Sequence, residues 1–154
     1  MIGCNPSTAD SKDDDPTIRK VMQIAKRKNY GGIYMGNLYA FKATDPNMLK
    51  ATAYFKSSFG DKGLDYVIGP MTDYYLKLMA NKAKTVVFAY GNISVSGWWS
   101  FVNSAMAKER AKEVFQMMKK KKGRVYAFRL THAGVPWHPL YLSPMDPLVP
   151  FTIY

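Results

Sequence analysis

The chain has 154 residues, 47% of them apolar, which is enough for one domain with its own core and too few for two. Lys and Arg number 22 against 11 Asp and Glu, a formal charge of +11 that points to a polyanionic partner, nucleic acid before membrane. The single cysteine, Cys4, excludes an intrachain disulfide and fits a reducing compartment, no run reaches the length of a membrane span, and "MIGCNPS" lacks the pattern of a signal peptide, so a cytoplasmic location is expected.

In chain order, residues 2–4 read as a short strand that runs into the loop "NPSTAD". In "DDPTIRKVMQIAKRK" Asp15 is a cap and Pro16 suits the first helical position. Ile18, Val21, Met22 and Ala25 then recur at helical spacing. "GGIYMGNLYA" reads as a second strand, and "DPNMLK" as a short helix capped by Asp45. Residues 51–69 carry no clear period. "GPMTDYYLKLMANKA" reads as a helix with Met71, Tyr75, Leu78 and Met79 on its apolar face. "KTVVFAYGN" is apolar on both faces, as a central parallel strand is. "SFVNSAMAKERAKEVFQMMKKKKG" is a long helix whose lysines favour the negative end of its dipole, with Gly123 as the C-terminal cap. "RVYAFRLT" is a fourth strand, and the Pro- and aromatic-rich tail from Pro136 reads as irregular.

Strands alternating with helices predict an α/β fold: a three-layer α/β/α domain over residues 1–154 with a central, mostly parallel four-stranded sheet. Such sheets bind ligands beyond the carboxyl ends of their strands. The residues expected there are Asn5, Pro6 and Ser7, Asn37, Gly91 with Asn92, and the segment from Thr131 to His138. Each has a plainer reading. Asn5 and Asn37 can satisfy loop amides. His138 can be a packed loop histidine, and Cys4 a small buried residue. Asp13 and Asp14 read as solvated, whereas Asp10 can fold back toward Asn5.

Several chemistries drop out. There is no glycine-rich phosphate loop and no G-x-S-x-G elbow, and two histidines with one cysteine lack zinc-ligand spacing. No cofactor is expected. What remains is a set of amides, one imidazole, an acid and many aromatics. Amides read base edges and aromatics stack bases.

The blocks "NPSTAD", "DDPTIRK", "GNLYAFKATDP", "AYGN" and "HPLYLS", in this order, resemble a family of phage and bacterial proteins described as a domain of unknown function, over nearly the whole chain. That family begins with an additional strand or hairpin before "NPS", so the resemblance implies a shortened member. More distantly, the same order is similar to the uracil-DNA glycosylase superfamily. "GCNPS" resembles its Gly-x-Asn-Pro-Gly motif, "IYMGNLYAFKA" its base-reading strand end, "VVFAYGN" its third strand, and "HPLYLS" its His-Pro-Ser-Pro-Leu-Ser loop.

The resemblance implies a DNA glycosylase acting on a flipped, modified base. Asn5 would hold the attacking water, and Asn37 would bind the base edge. His138 would stabilise the departing base. Tyr39 and Phe41 are candidates to stack on that base. Leu142 would wedge into the gap in the duplex, while Ser7 and Ser143 would contact the DNA backbone. The first motif has no carboxylate here, a role for which Asp10 is the candidate, and Leu140 and Tyr141 stand where the family has Ser-Pro. Three alternatives stay open: a base-modifying enzyme, a DNA-binding module without catalysis, and a nucleotide-binding protein.

Overall fold

The computed structural model describes residues 1–7, 15–45, 47–60, 62–91 and 105–153. The elements are β1 (Ile2–Gly3), α1 (Pro16–Arg27), β2 (Gly36–Asn37), α2 (Asn47–Ser58), α3 (Gly63–Ile68), α4 (Thr72–Lys82), α5 (Ala105–Lys122), β3 (Tyr126–Ala127) and β4 (Val149–Pro150). A single 3-10 turn spans Pro139–Tyr141.

The expected four-stranded central sheet is not formed. The described residues hold two sheets of two strands each, β1 parallel to β2 and β3 antiparallel to β4. The "VVFAY" segment is tied in by isolated parallel bridges, Ile2 to Phe88 and Val87 to Tyr126, and makes no ladder of its own. The ladders stop early because the backbone groups leave for other partners. Beyond Asn37, the Leu38 and Tyr39 amides still donate to the Gly3 and Cys4 carbonyls, but the Ala40 and Phe41 amides donate to the end of α3. A strand needs its neighbour over several residues, and here the neighbour changes after a few. The tail expected to be irregular supplies β4, whose Val149 and Pro150 pair with Ala127 and Tyr126.

The helices carry most of the architecture. Asp15 caps α1 as expected, accepting from the Thr17 amide at 2.7 Å, with Pro16 in the first turn. Its buried face is Val21, Ile24 and Ala25, whereas Ile18 and Met22 are exposed, so the seat is rotated from the predicted stripe. In α4 the buried residues are Leu76 and Ala80 rather than Tyr75 and Leu78. Gly36 explains this choice: a Cβ there would lie 2.6 Å from Leu76 Cδ2 and 2.9 Å from Met79 Cε, so β2 admits these side chains of α4 at close range. Helix α5 buries Ala107, Ala111, Val114, Phe115 and Met118. It ends in Lys119 to Lys122, and the Gly123 amide closes on the Lys119 carbonyl.

Residues 51–69, which carry no clear period, form most of α2 and all of α3. Helix α2 buries Leu49 and Ala53 and leaves Tyr54 and Phe55 exposed. The core centres on Phe88, Phe115 and Phe151, with ring centroids 5.3–6.1 Å apart, and each buried ring of this kind contributes about 1.5–3 kcal/mol. No described helix is long and apolar enough to cross a membrane.

Candidate functional site

Because β1 runs parallel to β2 and is bridged in parallel to Phe88, three chain segments end on the same edge. Asn5 and Gly91 each follow the bridged pair Ile2 and Phe88 by three residues, so both lie toward the same end of these parallel segments. Asn37 stands at the end of β2, opposite Gly3 in the register, and its Oδ1 lies over Gly3, where a Cβ would be 2.6 Å away.

The Asn5 amide nitrogen donates to the Ala43 carbonyl at 2.6 Å and to the Pro6 carbonyl at 3.0 Å. Both of its protons are therefore engaged in holding the loop, and the side chain presents Oδ1 as an acceptor. Ser7 donates from its hydroxyl to Asp15 Oδ2 at 2.8 Å. Asp15 thus joins the "NPS" loop to the start of α1. Its partial burial raises the carboxyl pKa, but bonds from Ser7, Thr17 and Ile18 outweigh that and hold it below its ordinary value.

His138 reaches this edge from the far end of the chain. Gly91 has φ +77°, and a Cβ on it would lie 2.7 Å from His138 Cβ, so only glycine lets the histidine loop come so close. Burial depresses the His138 pKa below 6.5, while the charge of Asp15 pulls it partly back up. Its Nδ1 accepts from the Leu140 amide at 3.4 Å, so in the neutral ring the proton sits on Nε2.

Pro6, next to Asn5, helps to line a cavity of about 460 Å³, a size suited to a small molecule or one base. Pro6, Asn37, Tyr39, Ala40 and Tyr75 are among its lining residues. Below it, Cys4, Tyr39 and Tyr90 are buried together. Burial pushes the Cys4 thiol up to about 12 and raises both phenols, so none of the three is ionised near neutral pH. Arg110, 2% exposed, secures the same region by donating to the Leu38 carbonyl at 2.9 Å and pairing with Asp73 at 2.5 Å.

The structure therefore joins Ser7 to Asp15 on the loop that carries Asn5, holds His138 against Gly91, and sets Asn37 on the lining of the cavity with Tyr39 buried beneath it. Other expectations change. Leu142 is 3% exposed and packs with Ile24, Val87 and Phe128, so it is a core residue and projects no wedge. The exposed side chains of that turn are Leu140 and Tyr141. Ser143 is exposed, but its amide donates to Asp146 Oδ2 at 2.8 Å, and a carboxylate so close repels a phosphate. Phe41 packs against Tyr66 and is not among the cavity's lining residues. Asp10 and Asn92 lie outside the described residues. Sequence reasoning treated Asp15 only as a cap and Tyr75 only as core. The signal for Asp15 was available: Ser7 eight residues earlier in the same loop is a natural second partner for a capping carboxylate. Among the described residues there is no group of three or more side chains suited to hold a metal ion.

The two roles of Asp15 separate by substitution. Asp15→Ala is expected to cost about 1 kcal/mol in a denaturant melt through the lost cap. Asp15→Asn keeps a capping side chain and so most of that stability, yet removes the charge that opposes desolvation at His138. An NMR titration should then find the His138 pKa lower in Asp15→Asn than in the parent. An unchanged value means that Asp15 is a cap alone.

No curated protein and no solved structure matches this chain. The family model described as "Protein of unknown function (DUF1643)" matches residues 1–140, nearly the whole length and all of the edge just described, and the chain belongs to that family.

Proposed function

We propose that the protein processes a nucleobase in DNA, and that the bond it acts on is the N-glycosidic bond of a base turned out of the stack. The observation that carries this reading is the shared edge. Asn5, Asn37 and Gly91, against which His138 is held, lie on neighbouring segments, and Pro6 and Asn37 of that edge line a cavity of about 460 Å³, on a chain of charge +11. The order of "GCNPS", "GNLYAF", "AYGN" and "HPLYLS" supports it by its similarity to the uracil-DNA glycosylases.

In this reading the base enters the cavity between Tyr75 and Pro6, and Asn37 bonds its Watson–Crick edge; Tyr39, 0% exposed, lies beneath the cavity and offers no face for stacking. Asn5 Oδ1 accepts from the attacking water. As the C1′–N bond breaks, the electron pair leaves with the base, and the Nε2 proton of neutral His138 stabilises the anion that forms. The water oxygen bonds to C1′ and its surplus proton passes to solvent or a neighbouring acceptor.

The direct test is incubation with DNA containing candidate modified bases, followed by chromatography for free base. Release that is altered in Asn37→Asp supports the assignment, because the substitution turns a donor into an acceptor. The preference among bases should shift by about 1–3 kcal/mol, roughly five- to a hundredfold. Binding to DNA should also weaken steeply as salt rises, since each neutralised phosphate releases counterions. Salt-independent binding, or an unchanged base preference in a folded Asn37→Asp, counts against the reading. A covalently altered base still attached to DNA would favour a base-modifying enzyme instead.

A further inference from the structure

The elements α2, α3 and α4, with the turn after α2, carry six exposed aromatic rings: Tyr54, Phe55, Phe59, Tyr66, Tyr74 and Tyr75. Tyr54 is 75% exposed and Phe59 71%, values that packing into this domain does not explain. We propose that these rings form a stacking platform for single-stranded DNA that leads to the candidate cavity; the proposal rests on the base-processing reading and names the form of its substrate.

Three observations converge. First, the rings are grouped rather than scattered. Phe55 and Phe59 lie 4.7 Å apart, Tyr74 and Tyr75 5.3 Å, and Phe41 and Tyr66 6.4 Å. Monomers seldom leave so many large apolar side chains in pairs uncovered unless something binds there. Second, the surface is continuous with the cavity. Tyr75 belongs to both. Phe41 follows Ala40, which lines the cavity and whose amide donates to the Val67 and Ile68 carbonyls at the end of α3.

Third, the chemistry suits a nucleic acid strand better than an apolar partner. The large exposed apolar side chains here are mainly aromatic, and every base offers a π-face to such rings. Cations stand among them: Lys56 Nζ lies 4.6 Å from the Tyr66 ring centre, and Lys42, Lys62 and Lys77 are exposed on the same elements and their connections. Among the described residues the acids of these elements and their connections are Asp45, Asp65 and Asp73, the last of them paired with Arg110, so lysines are the more numerous exposed charges available to phosphates. A duplex hides the faces of its bases and could use only the lysines.

The experiment is fluorescence anisotropy on the full chain with a labelled oligothymidylate of about 12 nucleotides and a duplex of equal length. The oligothymidylate should bind at least ten times more tightly. Phe55→Ala/Phe59→Ala should lose that affinity by about tenfold or more, and Phe59→Trp should keep it. Both rings are exposed, so folding is checked by an unchanged thermal midpoint. Equal affinity for strand and duplex overturns the proposal, as does an unaltered affinity in the double variant. Conversion of a dimer to a monomer by the double variant, without loss of oligonucleotide binding, also overturns it and assigns the face to a second copy. Ring-dependent binding of the strand with no base released from any DNA would leave this platform standing and sink the glycosidic reading. Release from duplex that is indifferent to the rings would do the reverse.

Discussion

His138→Ala is expected to reduce base release by about a hundred- to a thousandfold while leaving DNA binding nearly unchanged. The reason is geometric. His138 is held against Gly91 at the shared edge, and its Nδ1 is occupied by the Leu140 amide, so its remaining proton is on Nε2. A donor aimed at a developing anion in a partly desolvated place is worth roughly 3 kcal/mol, whereas bulk affinity comes from phosphates that this side chain is not needed to contact. Single-turnover release measured beside equilibrium binding separates the two. Parallel loss of binding and release would return His138 to a packing role.

The pH dependence follows from the direction of its pKa. In the unfolded chain the ring titrates near 6.5, and in the folded protein lower, because burial disfavours its charge. Above 6.5 the ring is neutral in both states and the term contributes fully to stability. As pH falls through 6.5 the unfolded chain binds a proton that the folded one resists, and stability declines until the folded pKa is passed. Release should therefore persist below pH 6.5 and fall only where the folded ring itself protonates, because Nδ1 then no longer accepts from the Leu140 amide that holds the ring in place. A profile that already drops at 6.5 contradicts this. His138→Ala should remove that part of the acid dependence of stability.

The largest expected effect on folding is at Gly63. A Cβ on this residue would fall inside the Ala53 carbonyl oxygen and 2.6 Å from Ser57 Oγ. The backbone of α2 cannot yield as a side chain can, so Gly63→Ala must push α3 away from α2. Overpacking of this kind costs about 3 kcal/mol, a fall in Tm of roughly 6–12 °C for a chain of this size. The consequence reaches the site, because the carbonyls of Val67 and Ile68 accept from Ala40 and Phe41 beside the cavity. Differential scanning calorimetry checks the first effect. A melting point unchanged by the substitution would mean that α3 is not seated on α2 as described.

Much of this chain is legible from the sequence where the cause is local. Asp15 followed by Pro16 starts a helix because one carboxylate satisfies an amide that the first turn leaves open, and this requires nothing from the rest of the fold. The run of lysines closed by Gly123 ends α5 for an equally local reason. The strand ends at Asn5, Asn37 and Gly91 fall on one edge because the apolar runs before them align in parallel. Charge is additive, so +11 is known without any structure.

Other features depend on which surfaces meet, and no stretch of sequence contains that information by itself. Helices α2 and α3 lack a clear apolar stripe because they bury little beyond Leu49, Ala53 and Val67 and turn their aromatics outward. The four-stranded sheet expected from alternation is cut to two short ladders because Ala40 and Phe41 bond to α3 and the tail at Val149 returns to pair with β3. Leu140 and Leu142 look alike in "HPLYLS", yet one is exposed and the other sits under α1 beside Ile24, a choice made by the pitch of a single 3-10 turn. Gly91 and His138 are far apart in the sequence, and they meet because Gly91, with no side chain, lets the histidine loop close on it. Local preference fixed the start of α1 and the end of α5; the contact of distant surfaces, through backbone pairing and close packing at glycine, decided which polar groups share a site.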